Sequence, residues 1–364
     1  MIRSRWAWVA GTVVTVAVAA GACSQPVAPT AQSSAVKLVK VKGLFASASN
    51  NVPMMVAAEN GYWRKRGLDV SVQVLDTGSA IATALVTGAA DIGAGNATSS
   101  VPLSRAAGNN FVMVGPYHNN PLVVAGTERV AIIAGKDSGV RAGDPRSLIG
   151  KSVAITEGNT NENFLRAYLE AHGMSMKDIK PVNIGLADMP TALSQGNVDV
   201  VVPMEPPVSQ IIRTMGDKAV VLQRGGPYGS SVVGVMVTDK YLAEHPDVVK
   251  QYVLGAWEGV KFTREHPEEA AAIAQRYISG ANVEDVAAGL KQMSSEFDPR
   301  ISPCTEKAVM TEQAKLIADH SMKLAKPLPY DKVVATDFIN GLLADDASLA
   351  EGLAPLPTTV SECK

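Results

Sequence analysis

The chain has 364 residues, of which 46% are apolar and 19% charged, and its formal net charge is −2. That length accommodates two ordinary lobes, and the apolar content excludes a disordered chain. The near-balanced charge offers nothing that would hold nucleic acid or an anionic membrane surface.

Arg3 and Arg5 open the chain, an apolar run covers residues 6–20, and the small residues Ala20, Gly21 and Ala22 precede Cys23. A basic start, a short apolar core and a small-residue site mark a secretory signal, and the run is shorter than the roughly 20 residues a membrane span needs. A cysteine directly after small residues resembles a bacterial lipobox, with Ala20 standing where leucine is usual. Residues 1–22 are therefore expected to be removed and Cys23 to carry lipid. Residues 23–36 are rich in Ser, Pro, Ala and Gln without apolar periodicity, as in a flexible tether.

The folded part begins with alternation at Val39, Val41 and Leu44, which predicts a strand. Pro53 opens a helix expected over 54–66 and stopped by Gly67. Leu68, Val70, Val72 and Val74 alternate as a second strand, and the next helix ends at Gly88. A short strand from Ala90 is expected to open into a turn over Gly93-Ala94-Gly95-Asn96-Ala97-Thr98. A further helix ends near Gly108, and residues 111–114 form a strand. This βαβαβ order predicts a parallel sheet with crossover helices.

The order begins again after Gly150. A strand is expected at 152–156, a helix at 161–172 and a strand at 181–184. A helix capped by Asp188 and ended by Gly196 then leads to a strand at 198–202, which runs into Pro203-Met204-Glu205-Pro206. The two halves echo each other: residues 83–92 and 191–200 share Thr, Ala, Leu, Gly and Asp at five of ten aligned positions. Chance reuse of a common helix–Gly–strand connection would read the same way, as would two lobes of similar topology. A strand at 232–238 and helices from 247 to about 343 complete the chain. The expected division is lobe one over 37–128, lobe two over 129–231, and a return to lobe one with C-terminal helices over 232–364. The crossings fall near 125–134 and 228–235.

Ligands of open α/β sheets sit beyond the carboxyl ends of the strands. That rule selects Ser47, Asn51, Gly95, Asn96, Thr98 and Tyr117 in lobe one, and Asn159, Thr160, Asn161 and Glu205 in lobe two. Helix starts at Thr98 and Thr160 expose unpaired N–H groups suited to a polar oxygen, and Gly95 would let backbone approach a guest. Glu205 would accept hydrogen bonds from an amine or ring N–H, and Tyr117 and His118 would stack or bond. Each residue also has a plain structural role open to it: turn shaping for Asn96 and Asn159, capping for Thr160 and Asn161, hinge packing for Tyr117, and a solvated carboxylate for Glu205. The selected loops contain no Lys or Arg but carry Glu162 and Glu205. A zwitterion or a nitrogen heterocycle with donor groups suits them better than an inorganic anion.

Residues 53–63, ending Glu59-Asn60-Gly61-Tyr62-Trp63, followed by Gly67-Leu68-Asp69-Val70, resemble the opening of solute-binding proteins for nitrate, sulfonates, taurine and thiamine-precursor pyrimidines. Ala84-Leu85, Gly88, Asp91-Ile92-Gly93, Leu148, Gly150-Lys151, Val153-Ala154, Ala192-Leu193, Gly196, Val198-Asp199 and Glu205-Pro206 continue the likeness over roughly residues 38–280. The resemblance implies an α/β, two-lobed fold of the periplasmic-binding-protein type II kind. In that fold each lobe is a mixed, mostly parallel sheet flanked by helices, and the ligand closes between the lobes. It also implies delivery of a small-molecule ligand to an ABC permease, from outside the cytoplasm.

An enzyme related to thiamine-pyrimidine synthesis and a ligand-sensing ectodomain are the alternatives. The export signal argues against the first, as does the lack of a Gly-x-Ser-x-Gly elbow, a His-Glu-x-x-His pair or a Walker loop. No cofactor and no metal are expected, and a monomer is the default. Cys304 and Cys363 would pair in an oxidising compartment, the alternative being two free thiols; they lie too far apart, with no histidine pair nearby, for a zinc set.

Overall fold

The structure, a computed structural model, describes residues 37–75, 78–156, 160–278, 280–318 and 320–363. The signal, Cys23, the tether and Asn159 lie outside them. All the described elements belong to one compact unit, Lys37–Lys364.

The alternating segments become strands, and the Gly-terminated apolar segments become helices packed on them. The first body runs β1 (Val39–Ala46), α1 (Val52–Glu59), α2 (Tyr62–Lys65), β2 (Leu68–Leu75), α3 (Gly78–Val86), β3 (Ile92–Asn96), α4 (Ser100–Ala106) and β4 (Phe111–His118). The chain then crosses to β5 (Ala131–Gly135), β6 (Ser152–Ile155), α5 (Thr160–Ala171), β7 (Lys180–Asn183), α6 (Met189–Ser194), β8 (Val200–Val201), α7 (Pro207–Met215) and β9 (Ala219–Arg224). It returns through β10 (Val233–Thr238) to α8 (Asp239–Glu244), α9 (Pro246–Glu265), α10 (Pro267–Ala274), α11 (Val283–Gln292), α12 (Pro303–Ala318), α13 (Tyr330–Val333) and α14 (Thr336–Asp345).

Two five-stranded sheets result, ordered β2-β1-β3-β10-β4 and β7-β6-β8-β5-β9. They share one plan. β1 pairs in parallel with β2 and β3, as β6 does with β7 and β8. β10 and β5, each entering from a crossing, take the equivalent antiparallel place. The mixed two-sheet architecture implied by the family resemblance is the one the chain adopts, while the fully parallel sheet predicted from the βαβαβ order gives way to antiparallel pairs at β10 and β5.

The sequence echo has a matching structural role in both halves. Gly88 and Gly196 both take a left-handed φ of 71°, which a residue with a Cβ rarely adopts. Asp91 Oδ2 accepts from Lys42 N at 2.8 Å, tying β3 to β1, and Asp199 Oδ2 accepts from Ser152 N at 2.8 Å, tying β8 to β6. Burial follows the period of two. Val130, Ile132 and Ala134 pack into a core on one face of the second sheet, while Ala131 and Ile133 pack into a core on the other. Such two-sided burial explains why this strand reads as a continuous apolar run.

Three local expectations change. The helix expected over 54–66 breaks into α1 and α2, because Asn60 ends the first turn set and Gly61 takes φ 66°. The turn expected from Gly93 starts only at Asn96, since β3 continues through Gly93 and Gly95. Asp188 precedes α6 without a side-chain capping bond. Among the described residues no helix is long and apolar enough to cross a membrane, and no cluster of three or more His, Cys, Asp or Glu could hold a metal.

Candidate functional site

The two crossings lie side by side. Gly126 N donates to Gly229 O at 2.8 Å, and Ser230 Oγ donates to Val124 O at 2.7 Å. Gly225, Gly226 and Gly229 all hold positive φ there. Just beyond Gly126 the backbone of Arg129 is held on both sides: its carbonyl accepts from Glu205 N at 2.9 Å, and Val130 O accepts from Gly225 N at 2.9 Å.

The Arg129 side chain joins the two bodies. Nη2 donates to Thr160 Oγ1 at 3.3 Å, at the start of α5, and to Ser231 Oγ at 3.4 Å, in the return crossing. Asn96 Nδ2, at the end of β3, donates to the same Ser231 hydroxyl at 3.3 Å. Asn96 and Thr160, both selected from the sequence, thus meet through two residues that were not. Arg129 is buried, its Nε has no partner, and among the described residues no carboxylate oxygen lies within ion-pair distance of it. Burial lowers its pKa from the ordinary arginine range, opposed by the charge of Glu296.

Glu296 organises the surroundings. Its Oε1 accepts from Glu128 N at 2.8 Å, and its Oε2 lies 3.0 Å from His118 Nε2 at the end of β4. Burial pushes this carboxyl up, but His118, the Glu128 N–H and Arg129 together outweigh burial and hold it below the usual range. Glu128 is itself raised, first by burial and then by Glu296.

The other sequence-selected residues have definite places. Ser47 is exposed and donates to Tyr277 O at 2.9 Å. Asn51 is buried, with Nδ2 donating to Ala46 O at 2.9 Å and Oδ1 accepting from the fully buried Tyr117 hydroxyl at 2.6 Å. Gly95 packs under β10: a Cβ would stand 2.7 Å from Met236 Sδ, so the glycine serves strand packing. Asn96 Oδ1 shapes its turn by accepting from Thr98 N at 2.9 Å and Thr98 Oγ1 at 2.7 Å. Asn161 Nδ2 donates to Val202 O at 2.9 Å, pinning α5 to the end of β8. The carboxylate of Glu205 is occupied by the protein itself, through Ser209 N and Oγ, each at 3.1 Å, and by Arg224.

The sequence reading passed over Arg129, Arg224 and Glu296, and selected the loop that holds Ser49 only by its ends, Ser47 and Asn51. Ser49 Oγ is buried without a partner at the turn before α1. The finding that the selected loops lack Lys and Arg holds for those loops only, because Arg129 reaches the site from the crossing. One signal was available: an arginine directly before the apolar run 130–134, where a charge is out of place unless it has work at the strand edge. A shallow cavity of about 290 Å³ lies elsewhere, under the C-terminal segment beside Leu122, Pro355 and Pro357, and no sequence-selected ligand residue lines it.

Burial pushes the Glu205 carboxyl up to about 7 against the pull of Arg224 and Ser209. A folded-state pKa above the unfolded value stabilises the fold fully below about pH 4.5, and that stabilisation fades as pH rises through about 7. Glu205→Gln removes this titration. The melting temperature of the wild type should therefore fall relative to the variant between pH 5 and pH 8, by a free-energy difference of at most about 3 kcal/mol. Parallel melting curves across that range would show that Glu205 does not titrate there.

A family model described as NMT1/THI5 like matches residues 48–270. The taurine-binding periplasmic protein of Escherichia coli is 28% identical over 212 residues, 56% of this chain and 61% of that one. The riboflavin-binding protein of Chloroflexus aurantiacus is 26% identical over 241 residues, 65% of each. Among solved structures, the periplasmic aliphatic sulphonate binding protein of Escherichia coli superposes with a TM-score of 0.66 at 20% identity, covering 80% of this chain and 91% of that one. A desulfurization enzyme also superposes, with a TM-score of 0.63 at 15% identity, covering 84% and 99%. At such identities the structural likeness establishes the fold, which binding proteins and an enzyme share.

Proposed function

The chain belongs to the NMT1/THI5-like family, and from that premise we propose that it is an extracytoplasmic solute-binding protein of an ABC importer, anchored through lipid on Cys23. It captures a small organic molecule between its two sheets, and the molecule carries an acidic group. One observation supports this reading above the others: Arg129 is buried where the two bodies meet, with two hydroxyls for partners and, among the described residues, no carboxylate in ion-pair range. A buried charge without an ion-pair partner is costly; the charge of Glu296 offsets part of that cost, and an anionic guest bonded to the guanidinium offsets more. Thr160, Ser231 and Asn96 supply the adjoining polar atoms, and the unpartnered Ser49 hydroxyl offers a further contact. The names of the curated relatives support binding over catalysis. The ligand class inferred from the loops alone shifts with Arg129: a zwitterion such as an amino-sulfonate remains suitable, and a neutral heterocycle becomes less so.

A thermal-shift screen tests the reading, with alkanesulfonates, amino-sulfonates, aromatic acids, pyrimidines and flavins as probes. A ligand at 100 times its Kd should add about 2.7 kcal/mol of stability by mass action. Acid-bearing compounds should raise the melting temperature. Shifts from uncharged compounds alone would remove the acidic-group claim, and turnover of a bound compound would replace the binding reading with an enzymatic one.

A further inference from the structure

The most extensive element contact between the two bodies is α7 against α11. α7 follows β8 of the second sheet, whereas α11 gives Val286, Ala287 and Leu290 to the first core. Arg213 donates through Nε to Asp285 Oδ1 at 2.7 Å and through Nη2 to Oδ2 at 2.8 Å. One turn further along α11, Gly289 faces Glu205, and a Cβ there would stand 3.0 Å from Glu205 Cδ. Ser209 and Arg213 stand four residues apart on α7, with Glu205 in the segment leading into it, and Asp285 and Gly289 stand four apart on α11, so each helical pair lines one face. Glu205 meets Gly289 and Arg213 meets Asp285, so the two segments run antiparallel.

The two partners of the ion pair differ in freedom. The Asp285 side chain is 4% exposed, and its backbone N–H is held by Asn282 at the start of α11. The Arg213 side chain is 44% exposed and reaches in from the rim. A forked pair needs both nitrogens and both oxygens nearly coplanar, so a small rotation of one body against the other breaks it. The glycine-rich crossings supply backbone that can rotate.

We infer that Arg213, Asp285 and Gly289 are positioning residues for capture: they form the seam made when the two bodies shut, and they set how long the guest is held without touching it. The inference rests on the two-body capture reading. A guest shifts an open–closed equilibrium only by its preference for one state, and contacts present in one state alone set where that equilibrium starts. Weakening the seam should therefore favour the open state and speed release.

Two variants break the seam in different ways. Asp285→Asn removes the charge and keeps the shape, while Gly289→Ala drives a methyl against Glu205 and favours the helix itself. Each should weaken the strongest ligand from the screen by about 5–30-fold, mostly through faster release with a nearly unchanged on-rate. Without ligand, each should raise the radius of gyration in small-angle scattering and speed amide exchange across α7 and α11. Gly289→Ala should do so with an unchanged or higher melting temperature, which separates loss of the seam from loss of the fold. Release rates, scattering and exchange that match the wild type in both variants would overturn the inference and leave wild-type capture standing. A wild type that bound no probe would instead overturn capture, and scattering and exchange would still decide the seam.

Discussion

Replacing Arg129 by methionine should abolish ligand-induced stabilisation while leaving the ligand-free protein as stable as before, or more so. The two effects separate because the guanidinium is buried with, among the described residues, no ion-pair partner. Removing a buried charge relieves its desolvation cost, and apolar replacements of buried charged groups are often neutral or stabilising by about 1–4 kcal/mol. Methionine fills much of the same volume and adapts to irregular space. Glu296 loses a favourable charge, but its bond from Glu128 N and its contact with His118 remain. Binding should suffer far more, because loss of a desolvated charge contact to an acidic guest costs about 2–5 kcal/mol, roughly 30-fold to several thousand-fold in Kd. Arg129→Lys should recover part of the affinity, since it keeps the charge and loses the fork. The measurements are calorimetric Kd values and melting curves on both variants, with circular dichroism as the fold control. An Arg129→Met protein that bound acid-bearing ligands within about 3-fold of the wild type would remove Arg129 from the site, since that is under 1 kcal/mol.

Converting Cys304 and Cys363 together to serine should have the largest effect on stability and little effect on binding. The two residues are joined by a disulfide with a sequence separation of 59. Closing a loop of that length restricts the unfolded chain by about 4 kcal/mol. Over a folded unit of this size that corresponds to a fall of about 6 °C in melting temperature. Cys304 is fully buried in α12, whereas residues 358–362 are exposed and bond mainly within themselves, as when Thr358 N donates to Glu362 Oε2 at 2.7 Å. The segment therefore depends on the bridge for its place. Affinity should stay near the wild-type value, because the bridge acts on the unfolded chain. A melting temperature unchanged by the double substitution would mean that the bridge does not constrain the chain in solution. A collapse in affinity would mean that the C-terminal segment belongs to the site.

Positions 95, 129 and 205 mark how far the sequence carries. Gly95 read as a place where backbone could approach a guest, yet its lack of a Cβ is required by Met236, which lies 141 positions away in sequence. Glu205 read as an acceptor for a ligand amine, yet Ser209 and Arg224 take up its oxygens. The place of Arg129 is not legible in its neighbours, because they do not show which polar groups the fold brings to it. Met236 for Gly95, Ser231 for Arg129 and Arg224 for Glu205 are brought in from beyond the local segment, and no local pattern records such partners.

The elements themselves were legible because their causes are local. Alternation at 39–44 and 68–74 commits those residues to strands, and Gly88 and Gly196 end helices through their own backbone freedom. The repeated Thr-Ala-Leu…Gly…Asp pattern announced two halves built alike, and Asp91 and Asp199 do the same work in both. The tertiary structure alone decided which polar groups remained available once the halves met: Asn96 and Thr160 were joined through Arg129 and Ser231, while Asn51 and Glu205 were used up inside the fold. The reason is that strand and helix formation depend on residues a few positions apart, whereas the free valence of a buried polar atom depends on every chain segment that packs against it.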